Sequence, residues 1–521
     1  MSDEYDIYDI FDTAHSCHHP SEEKHVTRVR CRDWVLPVVF VPGVMGSNLK
    51  NTSNKEKWRV DSVWSLLGWL WKSPEARQEI LNPDETEVDP EGAIPHGLNR
   101  SWKTAEGETI PNEALMKARG WGELGSMVYG EFLVWLENWL NLPDDISAAD
   151  SIPITQLVGL VRDDVSLPED FDATVNGWLK TLTRYHFPVH ACGYNWLQSN
   201  ADSADALAQR VDAIIDGYRR AGMGCDRVIL LTHSMGGLVA RYYSEVDGGN
   251  ASMLGVVHGV MPTNGAPVFY RRMKCGTEGG FFTSHIMGAT ARETTAVLGS
   301  APGPLQLVPT PAYGRHWLQI RRNGRAIRSL PEGDDPYTAI YLEREQWWGM
   351  LEPALANPEL TGSHAPDREK KIQREWDKYV KTMKDKVKSF HKNMANRFNP
   401  NTYLFYSDSP DHMSYGAVIW QGRESEYSRH LWKAAQSRPH YNQYRLAMET
   451  DRHGHERVYR YEIGEPEDPG DGTVPSRSGR AGAEHARRTL AVATEHQSAY
   501  DNAEARWFVL GAILEMAQQW Q

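Results

Sequence analysis

A serine stands where a run of apolar residues ends. The stretch VILLTHSMGG, residues 228–237, passes from Val228–Leu231 through Thr232 and His233 to Ser234, Met235 and two glycines. A buried strand that turns at once into a helix, here GGLVARYY, lifts a serine hydroxyl above the edge of a sheet in a tight, strained turn. Gly236 is expected there because helix and strand cross too closely for a side chain. The usual G-x-S-x-G spacing has Thr232 in place of its first glycine, and threonine is still fairly small and suits a strand end. The chemistry such a serine serves is nucleophilic attack on an acyl carbonyl. A neutral hydroxyl is a weak nucleophile, so it needs a base and a group that orients the base.

Both partners are expected later in the chain, in the order Ser, Asp, His. The loop EDPGDGTVPSRSG (467–479) sets Asp471 between two glycines, where backbone N–H groups can hold a carboxylate. Asp408, in YSDSPDH, is the competing carboxylate. His496 closes the last β-like run, RTLAVATEH, just before the helical stretch AEARWFVLGAILEMAQQW. Acyl transfer also requires two backbone donors for the negative charge that develops on oxygen. One is expected from the N–H of Met235. The other is expected from Val44 in FVPGVMGSNL (40–49), a loop to which Gly43 and Gly46 give conformational freedom.

The elements that must position these residues follow from the apolar runs. Runs at 34–43, 187–194, 227–234, 254–261, 401–408 and 488–496 are rich in Val, Ile and Leu and lack strict alternation, the pattern of strands covered on both faces. Between two of them, 204–222 has helical spacing through Leu207, Val211, Ile214, Ile215 and Tyr218 and ends at Gly222. The expected class is α/β, a mostly parallel sheet with helices on both faces. Residues 1–33 read as an N-terminal extension and 34–521 as one unit, interrupted at 50–186 and 262–400. Insertions of that length carry structure of their own, and each is expected to form a helical cap. In the second, Ile372, Trp376, Tyr379, Met383, Val387, Phe390 and Met394 line one helical face opposite a Lys-rich one. That helix either rests on an anionic lipid surface or packs on the domain with its charges in water; the second reading is preferred.

Composition bounds the function. With 521 residues, 40% hydrophobic and 24% charged, the chain has a globular profile, and a formal charge of −13 argues against general nucleic-acid binding. The five cysteines, Cys17, Cys31, Cys192, Cys225 and Cys275, are odd in number and unpaired in spacing, which fits reduced thiols in a cytosol. His15, Cys17, His18 and His19 match no zinc spacing, so no metal site is expected from them. The N-terminus lacks the basic start and apolar core of a secretory signal, so the chain is expected to be made as a soluble, cytoplasmic protein.

VPGVMGSNL, GYNWL (193–197), THSMGG, TNGAP (263–267), PLQLVP (304–309), GDGTVP (470–475) and His496 occur in one order. On that ordered set the chain resembles the lecithin:cholesterol acyltransferase group, which includes lysosomal phospholipase A2 and phospholipid:diacylglycerol acyltransferases. The resemblance implies an α/β-hydrolase fold, with Ser234 as nucleophile, Asp471 as orienting acid, His496 as base and the N–H groups of Val44 and Met235 as oxyanion hole. No cofactor is implied. The implied substrate is a phospholipid or other lipid ester, met peripherally at a membrane surface, and hydrolysis and acyl transfer both stay open.

Secreted and lysosomal relatives close a lid loop with a disulfide, whereas no cysteine lies between Cys31 and Cys192 here. In its place stands WRVDSVWSLLGWLWKSP (58–74). Its Trp58, Trp64, Trp69 and Trp71, with Trp196 of GYNWL, are candidates for lipid contact, against an equal expectation that the segment is a buried cap. Bacterial relatives include lipid-degrading toxins carried by contact-dependent type VI secretion machines without signal peptides. On that reading the chain acts at the membranes of a target cell, and its producer needs a protective binding protein. The rival class is a non-catalytic binding module, whose mark would be a missing member of the Ser, Asp, His set.

Overall fold

A computed structural model describes residues 34–62, 68–69, 71–99, 102–103, 109–141, 177–178, 180–182, 184–278, 288–360, 367–425, 444–450 and 455–520. The cluster at His15–His19 and Trp64 lie outside these residues. At the centre is a six-stranded sheet whose neighbours are all parallel. Its strands are β1 (Val38–Val41), β2 (Val189–Ala191), β3 (Val228–His233), β4 (Met253–Gly259), β5 (Thr402–Tyr406) and β6 (Arg488–Ala491). Each of the six apolar runs supplies one strand. In space the order is β2-β1-β3-β4-β5-β6. Every residue of β3 is buried, as the lack of alternation in its sequence requires when both faces are covered. The first run is cut at Pro37, which has no N–H to give a ladder. Trp34–Val35 pairs separately with Tyr185–His186.

Five longer helices matter to the site: α1 (Ser126–Leu140), α2 (Asn200–Arg220), α3 (Gly236–Glu245), α4 (Arg368–Thr382) and α5 (Ala503–Gln519). Side chains cap the starts of α2 and α5, where Ser199 Oγ accepts from the N–H of Ala201 and Asn502 Oδ1 from that of Ala505. Helix α3 packs on β1, β3 and β4 and against α2. Helices α1 and α5 pack on each other and on the sheet. Phe132 of α1 sets its ring 5.9 Å from Phe40 of β1, and Trp135 and Trp139 pack edge-on against Trp507 of α5 at 5.6 and 4.9 Å. Part of the 50–186 insertion therefore forms a layer of the sheet packing.

The 262–400 insertion differs from the helical cap expected of it. Leu318–Arg322 and Arg325–Leu330 are strands of a second, five-stranded sheet completed by Val418–Glu424, Tyr444–Thr450 and Glu456–Ile463. All its neighbours are antiparallel except Leu318–Arg322 with Val418–Glu424. The first two strands join through Asn323 and Gly324, both at positive φ (47° and 79°), the conformation that an Asn-Gly hairpin turn demands. Helix α4 continues through Met383–Lys388 and Ser389–Met394. All seven residues of its apolar face, from Ile372 to Met394, are buried, so this helix packs on the domain. Among the described residues no helix is long and apolar enough to cross a membrane.

Candidate active site

The chain runs from β1 to β2 on one side, then returns to place β3 on the other side of β1. The loops after β1 and β3 thus diverge at the carboxyl edge of the sheet, where parallel sheets open a crevice. Residues 42–48 follow β1 and Ser234 follows β3.

Ser234 has φ +52°, a left-handed conformation that costs a non-glycine residue about 1–3 kcal/mol unless its surroundings impose it. They do so through two bonds. Its N–H donates to the carbonyl of Gly259 at 2.9 Å, and its own carbonyl accepts from Gly237 at 2.9 Å. A Cβ on Gly236 would sit 2.4 Å from the carbonyl oxygens of both Val41 and Pro42, so only glycine lets α3 leave the strand this sharply. Thr232 fits where the usual glycine stands because its hydroxyl is taken up by His258 Nδ1 at 2.9 Å.

Ser234 Oγ is 2.8 Å from His496 Nε2, and His496 Nδ1 is 2.7 Å from Asp471 Oδ2. The other carboxylate oxygen accepts the N–H groups of Thr473 and Val474 at 2.9 and 2.6 Å. A carboxylate only accepts, so His496 carries its proton on Nδ1, leaves Nε2 bare and takes the hydroxyl proton of Ser234 as a hydrogen bond. Ser234 and Asp471 are each 3% exposed, which places the pair out of bulk water. Asp408 is exposed and takes no part.

The loop after β1 turns tightly, with Gly46 N–H on the carbonyl of Gly43 at 3.0 Å and Met45 at φ +63°. Among the described residues, neither the N–H of Val44 nor that of Met235 has an acceptor. Met235 is fully buried, and a buried backbone donor without a partner is rare in a folded chain. Both groups are available to an incoming negative oxygen.

The tryptophans divide. Trp58, Trp69 and Trp196 are 3%, 2% and 0% exposed and pack edge-on, Trp58 against Trp69 at 4.8 Å and against Trp196 at 5.9 Å. Trp58 Nε1 donates to the carbonyl of Met45 at 3.2 Å, so the cluster buttresses the loop after β1 and has no surface to offer a lipid. Trp71 is 89% exposed. Met45, Trp58, Trp69, Leu81, Val297 and Leu298, with the charged Arg77 and Glu293, border a crevice of about 10 Å³ beside that loop, too small for an acyl chain. Thr263–Gly265 and Gln306, from TNGAP and PLQLVP, border a separate cavity of about 350 Å³ beneath Phe390 and Met394.

No protein-family model matches the chain, and no curated protein matches it by sequence. A solved structure does. A chain of the crystal structure of the Tle4–Tli4 complex is similar at 27% identity with a TM-score of 0.69, covering 93% of this chain and 98% of that one. The likeness spans both chains nearly end to end, so the mixed α/β architecture with its large insertions is common to the two.

Two side chains that the sequence did not single out also meet at the site. His233 lies between the loops with Nδ1 2.9 Å from Tyr129 Oη and Nε2 2.8 Å from the carbonyl oxygen of His496. Burial holds its imidazole down to about 3, so it is neutral at any ordinary pH. His233 was visible as the neighbour of Ser234. Tyr129 sits in an amphipathic helix and carried no signal.

Proposed function

We propose that the protein is a serine-dependent lipid ester hydrolase of the α/β-hydrolase fold, working through an acyl-enzyme. The observation that carries this reading is the continuous set of contacts Ser234 Oγ, His496 Nε2, His496 Nδ1, Asp471 Oδ2, at 2.8 and 2.7 Å, in a turn held at positive φ. In the proposed step Ser234 Oγ attacks the ester carbonyl and His496 Nε2 takes its proton, while Asp471 steadies the imidazolium. The oxyanion accepts the N–H groups of Val44 and Met235. Collapse expels the alcohol, to which His496 returns the proton. Water then repeats the sequence and releases the acid; an acceptor alcohol in its place would make the same intermediate an acyl donor. The exposed Trp71 favours a lipid over a small polar ester.

The likeness to a chain solved in the two-protein Tle4–Tli4 complex supports a more specific reading, a lipase effector with a protective partner of its own. On this reading the enzyme acts in a target cell, where it degrades membrane lipids. Fluorophosphonate labelling tests the chemistry, since the tag is expected on Ser234, and Ser234→Ala is expected to lose roughly 10⁴-fold or more in kcat on a lipid ester. Near-normal turnover by that variant would remove the proposal. Periplasmic expression in a susceptible bacterium tests the effector reading: lysis by the parent chain and not by Ser234→Ala supports it, and intact membranes with an active enzyme overturn it.

A further inference from the structure

From the buried contacts around His233 we infer that Tyr129 and His233 are positioning residues, locking the oxyanion loop, the nucleophile turn and the base loop into one register. The inference rests on the hydrolase reading above.

The direction of every bond in this chain is fixed by donor and acceptor logic. The carbonyl oxygen of His496 can only accept, so His233 Nε2 carries the hydrogen across that 2.8 Å contact. A neutral imidazole with its hydrogen on Nε2 has a bare Nδ1. The 2.9 Å contact from Tyr129 Oη to Nδ1 is therefore the phenol donating. The oxygen of Tyr129 in turn accepts the N–H of Gly43 at 3.1 Å. One chain of donors thus runs from Gly43 N–H through Tyr129 and His233 to the backbone of the residue that bears the base.

Each end of this chain borders a reacting group. Gly43 immediately precedes Val44, whose N–H is one of the two free donors. A Cβ at Gly43 would come within 2.8 Å of His233 Nδ1 and 3.0 Å of Ser234 Cβ, and one at Gly46 within 2.7 Å of Tyr129 Oη. The two glycines are what let the loop close on the phenol. At the other end, the ring of His233 stands 5.2 Å from that of His496. Tyr129 and His233 never touch the proposed reacting atoms, and both are buried. Their contribution is to placement, where a displacement of about 1 Å can cost about 10²-fold in rate.

The test compares the full chain with Tyr129→Phe, His233→Gln and His233→Phe, reading kcat, KM, the rate of fluorophosphonate labelling and Tm together. Gln can still donate to the His496 carbonyl and Phe cannot. Tyr129→Phe is expected to lose about 10- to 100-fold in kcat and in labelling rate, with KM within about twofold and Tm nearly kept. His233→Gln is expected to retain more kcat than His233→Phe. Tyr129→Phe within twofold of the parent in kcat overturns the inference, as does a loss confined to KM. Where Tyr129→Phe proves unstable, His233→Gln decides, and parental kcat in that variant overturns the inference too. Absence of any Ser234-dependent turnover in the parent chain is a separate result, and it removes the hydrolase reading itself.

Discussion

His496 and Asp471 are joined twice: imidazole Nδ1 to carboxylate Oδ2 at 2.7 Å, and the backbone N–H of His496 to the carbonyl of Asp471 at 2.8 Å. The second tie does not involve the carboxylate charge. Removing that charge therefore leaves the loop bearing His496 in place and changes only what the carboxyl group does to the ring. Asp471→Asn presents an amide that can donate to Nδ1, turning the imidazole to the tautomer whose Nε2 carries hydrogen and cannot accept from Ser234. The expected outcome is a fall in kcat of about 10⁴-fold with Tm within a few degrees of the parent. Ester turnover and thermal melting of the purified variant check it, and a fall below tenfold would show that the carboxylate does not set the tautomer.

Gly236 makes a sterically stricter claim. Its missing Cβ faces two carbonyl oxygens at 2.4 Å, which are backbone and cannot swing aside as a side-chain end can. Gly236→Ala is expected to destabilise by at least about 1–3 kcal/mol and to abolish turnover, since relief requires moving α3 off β1. Gly333, exposed and with nothing within 4 Å of its would-be Cβ, is the control: Gly333→Ala should leave stability unchanged or raise it by up to about 1 kcal/mol. Urea melts of the two variants should separate cleanly.

The tryptophans predict opposite phenotypes thirteen residues apart. Trp58 is buried between Trp69 and Trp196 and bonded to the Met45 carbonyl, so Trp58→Ala opens a cavity and is expected to cost about 3–5 kcal/mol. Trp71 touches little, and Trp71→Ala should stay within about 0.5 kcal/mol of the parent. Sedimentation with phospholipid vesicles then gives Trp71 its own readout, weaker binding at unchanged Tm. Equal binding by parent and variant would show that the exposed ring is not a lipid contact.

How far the sequence reached depended on whether a signal was local. Ser234, Asp471 and His496 could each be named from their own turn or strand end, and the three side chains lie within hydrogen-bond reach. Tyr129 could not, because its meaning comes from His233, 104 residues away, and its own helix reads as ordinary amphipathic packing. The sheet strands were legible from runs such as Val228–His233, where burial on both faces leaves only apolar choices. The second sheet was not read where a helical cap was expected, although the Asn323-Gly324 pair carries a hairpin signal. Glu456–Ile463 alternates only over Tyr459–Ile463, because Val458 and Tyr459 are buried in succession, and so short an alternating run is a weak signal. The tryptophan segment was ambiguous for a physical reason: an indole's apolar body and N–H suit a membrane interface and a buried pocket with one carbonyl equally well.

Burial of histidines sets the acid limit of the fold. His190, His233, His258 and His391 are all buried, and desolvation is the first cause that lowers each below the ordinary 6.5: His233 and His258 to about 3, His391 to about 4, His190 well below. A second push comes from positive neighbours, Arg241 on His258, and Arg119 and Arg210 on His190. Each is committed to bonds as a neutral ring, such as His391, with Nδ1 on Tyr337 Oη and Nε2 on the Gln306 carbonyl at 2.6 and 2.8 Å. The folded pKa lies below the unfolded one, so the unfolded chain binds protons that the native state refuses. Stability is then whole above about pH 6.5 and falls as pH drops toward 3–4, by about 2 kcal/mol for each such histidine between pH 7 and 5. Asp247 opposes this below about 6, where desolvation and its neighbour Asp205 hold its carboxyl up, but it is exposed and its weight is that of one solvated group. Asp501, also held up by burial, acts in the same sense as Asp247, and four buried rings against these two exposed carboxyls still leave a net loss of about a few kcal/mol, a large share of the stability of many domains. Urea midpoints at pH 7 and pH 5 should differ accordingly, with acid unfolding complete before pH 4. A midpoint that does not move over that interval would mean that the buried rings accept protons without unfolding, contrary to the bonds assigned to them.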